Sequence, residues 1–119
     1  MPTRSLSLQQ EQMAFSHDLV KLLAHVMASG WGVTLGEAWR TEEQQRLYVK
    51  QGKSKTMDSC HRKRLAIDLN FFTPEGLLTY HKEDLMQFGA FWEGMSLQNR
   101  WGGNFTSLED TNHFERRLP

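Results

Sequence analysis

The segment 65–72, with the sequence LAIDLNFF, constrains the fold more than any other part of the chain. Leu65, Ile67 and Leu69 alternate there with small or polar residues, one of which is Asp68. Because successive side chains of a β-strand point to opposite faces, this alternation predicts a half-buried strand. The apolar side chains would enter the core, and the carboxylate of Asp68 would point the other way.

The N-terminal segment 5–30 is predicted to form the first helix. Ser7 and Gln10 match a capping box, and Gly30 is a typical residue just beyond a helix C-terminus. Apolar residues recur at helical spacing and form one stripe, which consists of Phe15, Leu19, Leu22, Leu23 and Val26. A short strand is predicted to follow within residues 32–40.

A second, shorter helix is predicted for residues 41–52. Thr41 and Gln44 form another capping box, and Gly52 would end the helix. The polar segment 53–59 then predicts a loop that leads towards the central strand.

The C-terminal part of the chain predicts a turn, a helix and a strand. The turn is TPEG at 73–76, and a third helix is expected at 82–101, ended by two glycines. Its inward side chains would be Leu85, Phe88, Trp92 and Met95. A short strand is expected at 113–117. Because helices and strands mix irregularly, we predict an α+β fold with a small antiparallel sheet flanked by about three helices.

Length and composition limit the class of protein. A chain of 119 residues predicts a single domain, residues 1–119. A hydrophobic fraction of 39% and a charged fraction of 24% fit a soluble globular protein and exclude disordered and disulfide-rich classes. The 14 basic and 14 acidic residues cancel, so no overall field attracts nucleic acid.

The cysteine count and the lack of a long apolar run predict a protein made in a reducing cytosol. The single cysteine, Cys60, cannot form an internal disulfide. The sequence contains neither a signal-peptide run nor the ~20 apolar residues that a membrane span needs. We therefore expect a soluble monomer with no nucleic-acid partner and no membrane partner.

Two acid–histidine pairs contain residue types that zinc prefers. His61 and Asp68 flank a basic run, and Asp110 and His113 lie near the C-terminus. A catalytic zinc site uses three protein ligands, with His nitrogen and carboxylate oxygen at ~2.0–2.2 Å, and keeps one position open. His61, Asp68 and His113 supply that number and type of ligand, so they are the candidate zinc ligands.

The spacing of His61 and Asp68 imposes a geometric condition. Seven residues of straight strand would separate them by ~23 Å and turn them to opposite faces. Residues 62–64 must therefore reverse or bulge before the strand begins. Asp110 would then be a proton carrier and not a fourth ligand. The helical HExxH arrangement is absent, which excludes a thermolysin-like enzyme.

A simpler interpretation needs no metal. Isolated His and Asp residues are common, and buried polar pairs satisfy one another by hydrogen bonding. Since no strict metal-binding pattern is matched, the residues taken alone favour this interpretation.

Ordered motifs change that balance. Ser59-Cys60-His61 is followed after six residues by Asp68, and Asp110 begins an acid-x-x-His-Phe-Glu pattern. EAWRTEEQQRLY at 37–48 and RWGGNF at 100–105 are further matches, as is Ala66. Together these motifs resemble the zinc peptidases of the VanX/VanY type, which include phage L-alanyl-D-glutamate endolysins and share the fold of the Hedgehog signalling domain. The resemblance covers about residues 37–115. It departs from the family pattern at Arg64, three residues after His61, where the family often has glycine.

The resemblance implies roles for six residues. It implies His61, Asp68 and His113 as the ligands of a Zn²⁺ ion and Asp110 as the catalytic acid and base. Arg40 matches the family's arginine that holds substrate and helps to stabilise the oxyanion. Ser59 matches a substrate-side hydroxyl, but it could equally cap the loop.

The implied function is a zinc metallopeptidase that acts on bacterial peptidoglycan stem peptides. The expected protein is a phage endolysin cleaving L-Ala–D-Glu, made in the host cytoplasm and reaching the wall after the membrane is permeabilised. A D-Ala–D-Ala carboxypeptidase is the enzymatic alternative, and a non-catalytic zinc-binding domain is the alternative from another class.

Two further features have competing interpretations. The basic run 62–64 is typical of a solvated surface, but beside a zinc site it could meet carboxylates of a stem peptide. Among the tryptophans, core packing is the general expectation. Trp101, next to two glycines, is the best candidate for a cleft wall.

Overall fold

The structure, a computed structural model, describes residues 6–54 and 59–119. In chain order its elements are α1 (Leu8–Ala28), β1 (Gly32–Leu35), α2 (Glu42–Lys50), a 3₁₀ turn (Cys60–Lys63), β2 (Ala66–Phe72), β3 (Leu78–Thr79), α3 (Lys82–Met95), β4 (Asn99–Trp101), a second 3₁₀ turn (Gly102–Asn104) and β5 (His113–Arg116). These elements confirm the predicted α+β class. Of the predicted loop 53–59, residues 55–58 lie outside the described residues, as does residue 5 of the predicted first helix.

The sequence signals of the first two helices correspond to real caps. The Ser7 hydroxyl accepts from the backbone N–H of Gln10, whose side chain accepts in return, so the capping box is complete. Thr41 accepts from the backbone N–H of Gln44 at the start of α2. Gly30 has φ +84°, which is the left-handed backbone expected just after α1.

The strands form one antiparallel sheet in the order β1-β2-β5-β4, and the short β3 also pairs with β2. β2 and β5 lie in the middle, and Asp68 is directly opposite His113 in their register. Directly paired residues share a face and have Cβ atoms only ~4.5–5.5 Å apart. The sheet therefore sets Asp68 beside His113 before any side-chain contact is considered.

The hydrophobic core fills the other face of this sheet. α1 and α3 contribute its helical side, with the aromatic rings of Phe15 and Trp92 edge to face at 5.5 Å. The core consists of Phe15, Leu22, Val26, Leu65, Ile67, Leu69, Phe71, Leu85, Phe88, Trp92, Trp101 and Phe114. The predicted alternation in β2 is thus confirmed: Ile67, Leu69 and Phe71 are buried, while Asp68 is half-buried on the opposite face.

The third helix is shorter than predicted. α3 ends at Met95, and the expected helical segment 82–101 also contains β4. Ser96 is extended, with φ −159° and ψ 145°, and Asn99 and Trp101 pair with β5. The apolar spacing of the segment could not reveal this, because the pairing partner of β4 lies far along the chain.

Trp101 is a core residue and does not line the cleft that contains His61 and His113. It is 1% exposed, and its indole N–H donates to the Thr111 carbonyl. Gly89 and Gly103 make room for the ring, since a Cβ at either glycine would overlap the indole. The glycines beside this tryptophan therefore allow close packing.

None of the helices in the described part of the chain is long and apolar enough to cross a membrane.

A buried ion pair joins the first helix to the last strand. The guanidinium of Arg116 donates to the carboxylate of Glu11 at 2.7 Å, and their side chains are 7% and 3% exposed. The side-chain amide of Gln98 donates to the same carboxylate oxygen. Because β5 also carries His113, this pair ties α1 to the strand beneath the site.

We expect Glu11→Ala to lower the free energy of unfolding by about 3–5 kcal/mol, since Arg116 would lose its buried counter-charge. Urea denaturation measures the change. The control is Glu42→Ala, which breaks the exposed pair with Arg46 and should cost less than about 1 kcal/mol. Equal losses in the two variants would show that the buried pair contributes no special stability.

Candidate metal centre

Three predicted ligand atoms converge on one face of the sheet. The distance from His61 Nε2 to His113 Nδ1 is 3.2 Å, and each of these nitrogens lies 3.3 Å from Asp68 Oδ1. In a tetrahedral site with bonds of ~2.0–2.1 Å, neighbouring ligand atoms are about 3.3 Å apart. The triangle therefore has the size and the donor chemistry that a zinc ion requires.

A tight turn brings His61 to this triangle. Residues Cys60–Lys63 form a 3₁₀ turn, and Arg64 ends it in the left-handed region with φ 58°. The backbone N–H of Leu65 donates to the Cys60 carbonyl, which closes the turn immediately before β2. The chain thus contains the reversal that the spacing demands, and a non-glycine residue supplies it.

Each imidazole has a hydrogen-bond partner outside the triangle, and this partner fixes the orientation of the ring. His61 Nδ1 lies 3.2 Å from the Ala38 carbonyl, which can only accept a hydrogen bond. His113 Nε2 lies 2.6 Å from a carboxylate oxygen of Glu115. Each ring therefore directs its N–H outwards and its other nitrogen towards the triangle, an arrangement that protein metal sites commonly use.

The electrostatics of the cluster favour a cation. Burial works against the charged form of His113, but hydrogen bonds to Asp68 and Glu115 outweigh it and raise the pKa of the imidazole to about 9. Burial likewise opposes ionisation of Asp68, yet hydrogen bonds from His113 and His61 hold its pKa well below the usual range. Charges that stabilise an imidazolium would also stabilise a metal ion in its place, with release of the proton.

Asp110 lies beside the triangle on the loop before β5. It lines the same cleft as His61 and His113. Its backbone carbonyl accepts from the His113 N–H at 3.2 Å, and its carboxylate accepts from the backbone of Asn112. Although the residue as a whole is exposed, desolvation of the carboxylate and then the charge of Asp68 raise its pKa. A carboxyl group with a raised pKa, held near the ligands, is suited to carrying a proton.

Arg40 and Ser59 form the wall next to His61. Arg40 Nη1 donates to Gln45 at 2.7 Å and to the Ser59 hydroxyl at 3.3 Å. Its Nε donates to Glu37 at 2.6 Å, and the guanidinium lies 4.5 Å from the centre of the Tyr48 ring. Arg40 is thus held at the cleft by its protein contacts, and its contact with substrate stays a prediction.

Ser59 caps the 3₁₀ turn. Its hydroxyl accepts from the backbone N–H of His61 at 3.2 Å, and the residue is 8% exposed. Of the two interpretations that the sequence left open, the geometry therefore shows the capping one. A contact with substrate stays a prediction.

Cys60 is adjacent to a ligand but is poorly suited to be one. Burial, and then the charge of Glu115, raise the pKa of its thiol to about 12. The ligand atoms that lie within 4.8 Å of one another belong to His61, Asp68 and His113, and the thiol of Cys60 is not among them. The donor set of two histidines and one aspartate is complete without it.

Two acidic residues of the site had no predicted role. Glu115 orients His113, and Glu37 orients Arg40, with both contacts at 2.6 Å. Glu115 stands two positions after His113, so both side chains of β5 emerge on the same face. This two-residue spacing in a strand could have predicted that Glu115 lies beside His113. The contact between Glu37 and Arg40 could not be predicted in this way, because Glu37 lies in an irregular segment.

The basic run 62–64 divides between cleft and surface. Lys63 lines the cleft, whereas Arg62 is exposed. The guanidinium of Arg64 lies 5.3 Å from the centre of the Trp39 ring. The run is therefore not one uniform substrate-facing patch.

Comparison with known proteins identifies the family. A family model described as D-alanyl-D-alanine carboxypeptidase matches residues 52–116, which is more than half of the chain. The chain belongs to this peptidase family. The match contains His61, Asp68, Asp110 and His113, so the whole cluster falls within the family region. A search of curated proteins returned no match.

Solved structures show the same fold. The L-Ala D-Glu endopeptidase ChiX of Serratia marcescens aligns with a TM-score of 0.67 and 21% identity, covering 95% of this chain and 88% of ChiX. The vancomycin resistance D,D-pentapeptidase VanY of the VanB-type cassette, a mutant in complex with Zn(II), aligns with a TM-score of 0.59 and 15% identity. That alignment covers 87% of this chain and 71% of VanY. The resemblance inferred from the motifs is thereby confirmed.

Glu115→Gln should weaken zinc binding about 10–100-fold, because the uncharged amide supports His113 less well than the carboxylate does. Competition with a chromogenic chelator measures the affinity. Glu109→Gln changes an exposed acid that does not line the cleft; it serves as the control and should bind zinc like the unaltered protein. Identical affinities for all three proteins would remove Glu115 from the support of the site.

Gly102→Ala should displace the loop that carries Asp110. A Cβ at this position would lie only 2.1 Å from the Asp110 carbonyl oxygen and 2.9 Å from the Cβ of His113. We expect hydrolytic activity to fall at least about tenfold, the order of loss that a misplacement of ~1 Å can cause or exceed. Activity and circular dichroism should be measured together.

Gly94→Ala is the matched control. Gly94 lies in α3 with open space around it, and alanine there should be neutral or stabilise the helix by up to about 1 kcal/mol. A Gly102→Ala variant as active as Gly94→Ala would contradict the close packing of this loop.

Proposed function

We propose that this protein is a zinc-dependent peptidase that hydrolyses peptide bonds in bacterial peptidoglycan stem peptides. Family membership supports a peptidase of this substrate class. The observation that carries zinc dependence is the triangle of His61, Asp68 and His113, with sides of 3.2 to 3.3 Å and both imidazoles oriented by outer partners.

The proposed chemistry divides between the metal and the side chains. A zinc ion held by the three ligands would supply Lewis acidity towards a peptide carbonyl. Asp110 would accept the proton of the attacking water and deliver it to the leaving amine. Arg40 would donate a hydrogen bond to the developing oxyanion, for which Nη2 is suited because none of the described residues accepts from it.

The proximity of Asp110 also argues against a non-catalytic zinc domain. A structural site is closed by four protein ligands, whereas among the described residues three ligands converge in a cleft of about 700 Å³. A carboxyl group with a raised pKa beside an open position is needed for catalysis but not for structure.

The favoured bond is L-Ala–D-Glu. Its support is the alignment with ChiX, which covers nearly the whole of both chains and has the higher of the two TM-scores. The description of the matching family favours a second candidate, a D-alanyl-D-alanine carboxypeptidase. The phage origin, the host cytoplasm as location and the monomeric state stay predictions, since neither fold nor site depends on them.

Mass spectrometry of defined muropeptides after digestion tests the proposal. Cleavage at L-Ala–D-Glu creates a new N-terminal D-glutamate, whereas carboxypeptidase activity removes one alanine from a pentapeptide. Either product should require zinc and disappear on chelation. Intact muropeptides after digestion with the zinc-loaded protein would contradict the proposed function.

Two substitutions separate proton transfer from metal binding. Asp110→Asn should reduce the rate by about 10²–10⁴-fold and leave zinc affinity nearly unchanged, because the amide cannot accept the proton. Asp68→Asn should lose zinc and activity together, since an amide is a poor zinc ligand. The measurements are zinc content and hydrolysis rate of each variant. Loss of zinc in Asp110→Asn with retention in Asp68→Asn would exchange the two roles.

A further inference from the structure

Arg117 directly follows β5 and lines the same cleft as Arg40 and His113. Its Nε donates to Glu115 at 2.6 Å, and Glu115 in turn holds His113. The guanidinium lies 5.4 Å from the centre of the Phe105 ring, which itself lies 5.7 Å from the imidazole of His113. Arg117, Phe105 and Asp110 all line the one cleft.

The guanidinium of Arg117 is held in place but has donors to spare. Its side chain is 53% exposed, and none of the described residues accepts a hydrogen bond from Nη1 or Nη2. The backbone N–H of Arg117 donates to the Gln98 carbonyl at 2.8 Å, which fixes the base of the side chain. A guanidinium fork held by Nε and by an aromatic ring can offer its two terminal nitrogens to a carboxylate as a bidentate pair.

The local charge balance favours an anionic ligand. Glu115 already accepts from both His113 and Arg117, with each contact at 2.6 Å. The charge of Glu115 is thus compensated, and Lys63 and Arg117 line the same cleft. A substrate carboxylate entering here would meet the exposed guanidinium of Arg117.

The two arginines of the cleft differ in what they have left to offer. Arg40 uses Nε and Nη1 within the protein and retains Nη2, a single group suited to one carbonyl oxygen. Arg117 retains both terminal nitrogens, which match the two oxygens of a carboxylate.

We propose that Arg117 determines specificity by binding the substrate carboxylate that lies on the leaving-amine side of the scissile bond. This inference rests on the proposed function of the site. In L-Ala–D-Glu the glutamate is linked onward through its γ-carboxyl group, so its α-carboxylate is free next to the amide nitrogen. In D-Ala–D-Ala the terminal carboxylate occupies the same position relative to the amide nitrogen. The recognised group is therefore an α-carboxylate in either case.

Binding of matched peptides tests the proposal. Two peptides with a free α-carboxylate are used: one contains L-Ala followed by γ-D-Glu-L-Lys, and the other ends in D-Ala–D-Ala. Each is compared with its α-carboxamide analogue. Dissociation constants are measured on the zinc-loaded Asp110→Asn protein, which should bind without turnover. The acid form of the natural substrate should bind at least about tenfold tighter than its amide, the order expected for a charge-assisted hydrogen-bonded pair.

Adding Arg117→Gln should abolish this preference, so that the acid binds only as well as the amide. Arg46→Gln, on the exposed face of α2 away from the cleft, is the control and should keep the preference. The ratio of kcat/KM for acid and amide, measured with Arg117→Gln in the otherwise unaltered enzyme, should fall in the same way. The peptide pair that shows the preference identifies which of the two carboxylates is recognised.

Equal binding of acid and amide before substitution would overturn the proposal. A loss that affects acid and amide alike in Arg117→Gln would also overturn it, because Arg117 would then only support Glu115. Failure of the unaltered enzyme to hydrolyse either acid peptide would contradict the proposed function instead, and the acid-to-amide binding ratio would still decide the role of Arg117.

Discussion

The antiparallel pairing of Asp68 with His113 is the constraint on which the rest of the structure depends. The pairing puts both side chains on one face of the sheet, and the same register turns Ile67 and Phe114 into the core. A slip of one residue in β2 would send the apolar side chains to solvent and Asp68 into the core. Hydrophobic burial and ligand geometry therefore stabilise the same register, and His61 joins through the turn before β2.

Charges around the site are arranged in layers. His113 contacts Asp68 on the inner side and Glu115 on the outer side, and Glu115 is compensated by Arg117. Each buried group thus has a partner of opposite charge, which limits the cost of removing it from water. The arrangement leaves negative charge at the triangle, where a cation would bind, and places the guanidinium of Arg117 at the cleft wall.

Local patterns predicted much of this structure, and long-range contacts account for what was missed. The caps at Ser7 and Thr41 and the alternation in β2 involve residues close in sequence, so the chain shows them directly. The strand Asn99–Trp101 was predicted as helix because its apolar spacing fits both and only pairing with β5 decides. The roles of Asp68 and Asp110 were assigned from motifs, and the converging distances became visible only in three dimensions.

Zinc K-edge X-ray absorption of the protein loaded with one equivalent of zinc tests the central claim most directly. The account predicts only nitrogen and oxygen neighbours at about 2.0–2.2 Å, with outer-shell scattering from two imidazole rings. A sulfur neighbour at about 2.3 Å would instead identify Cys60 as a ligand and contradict the account. A spectrum without imidazole scattering would contradict the assignment of His61 and His113.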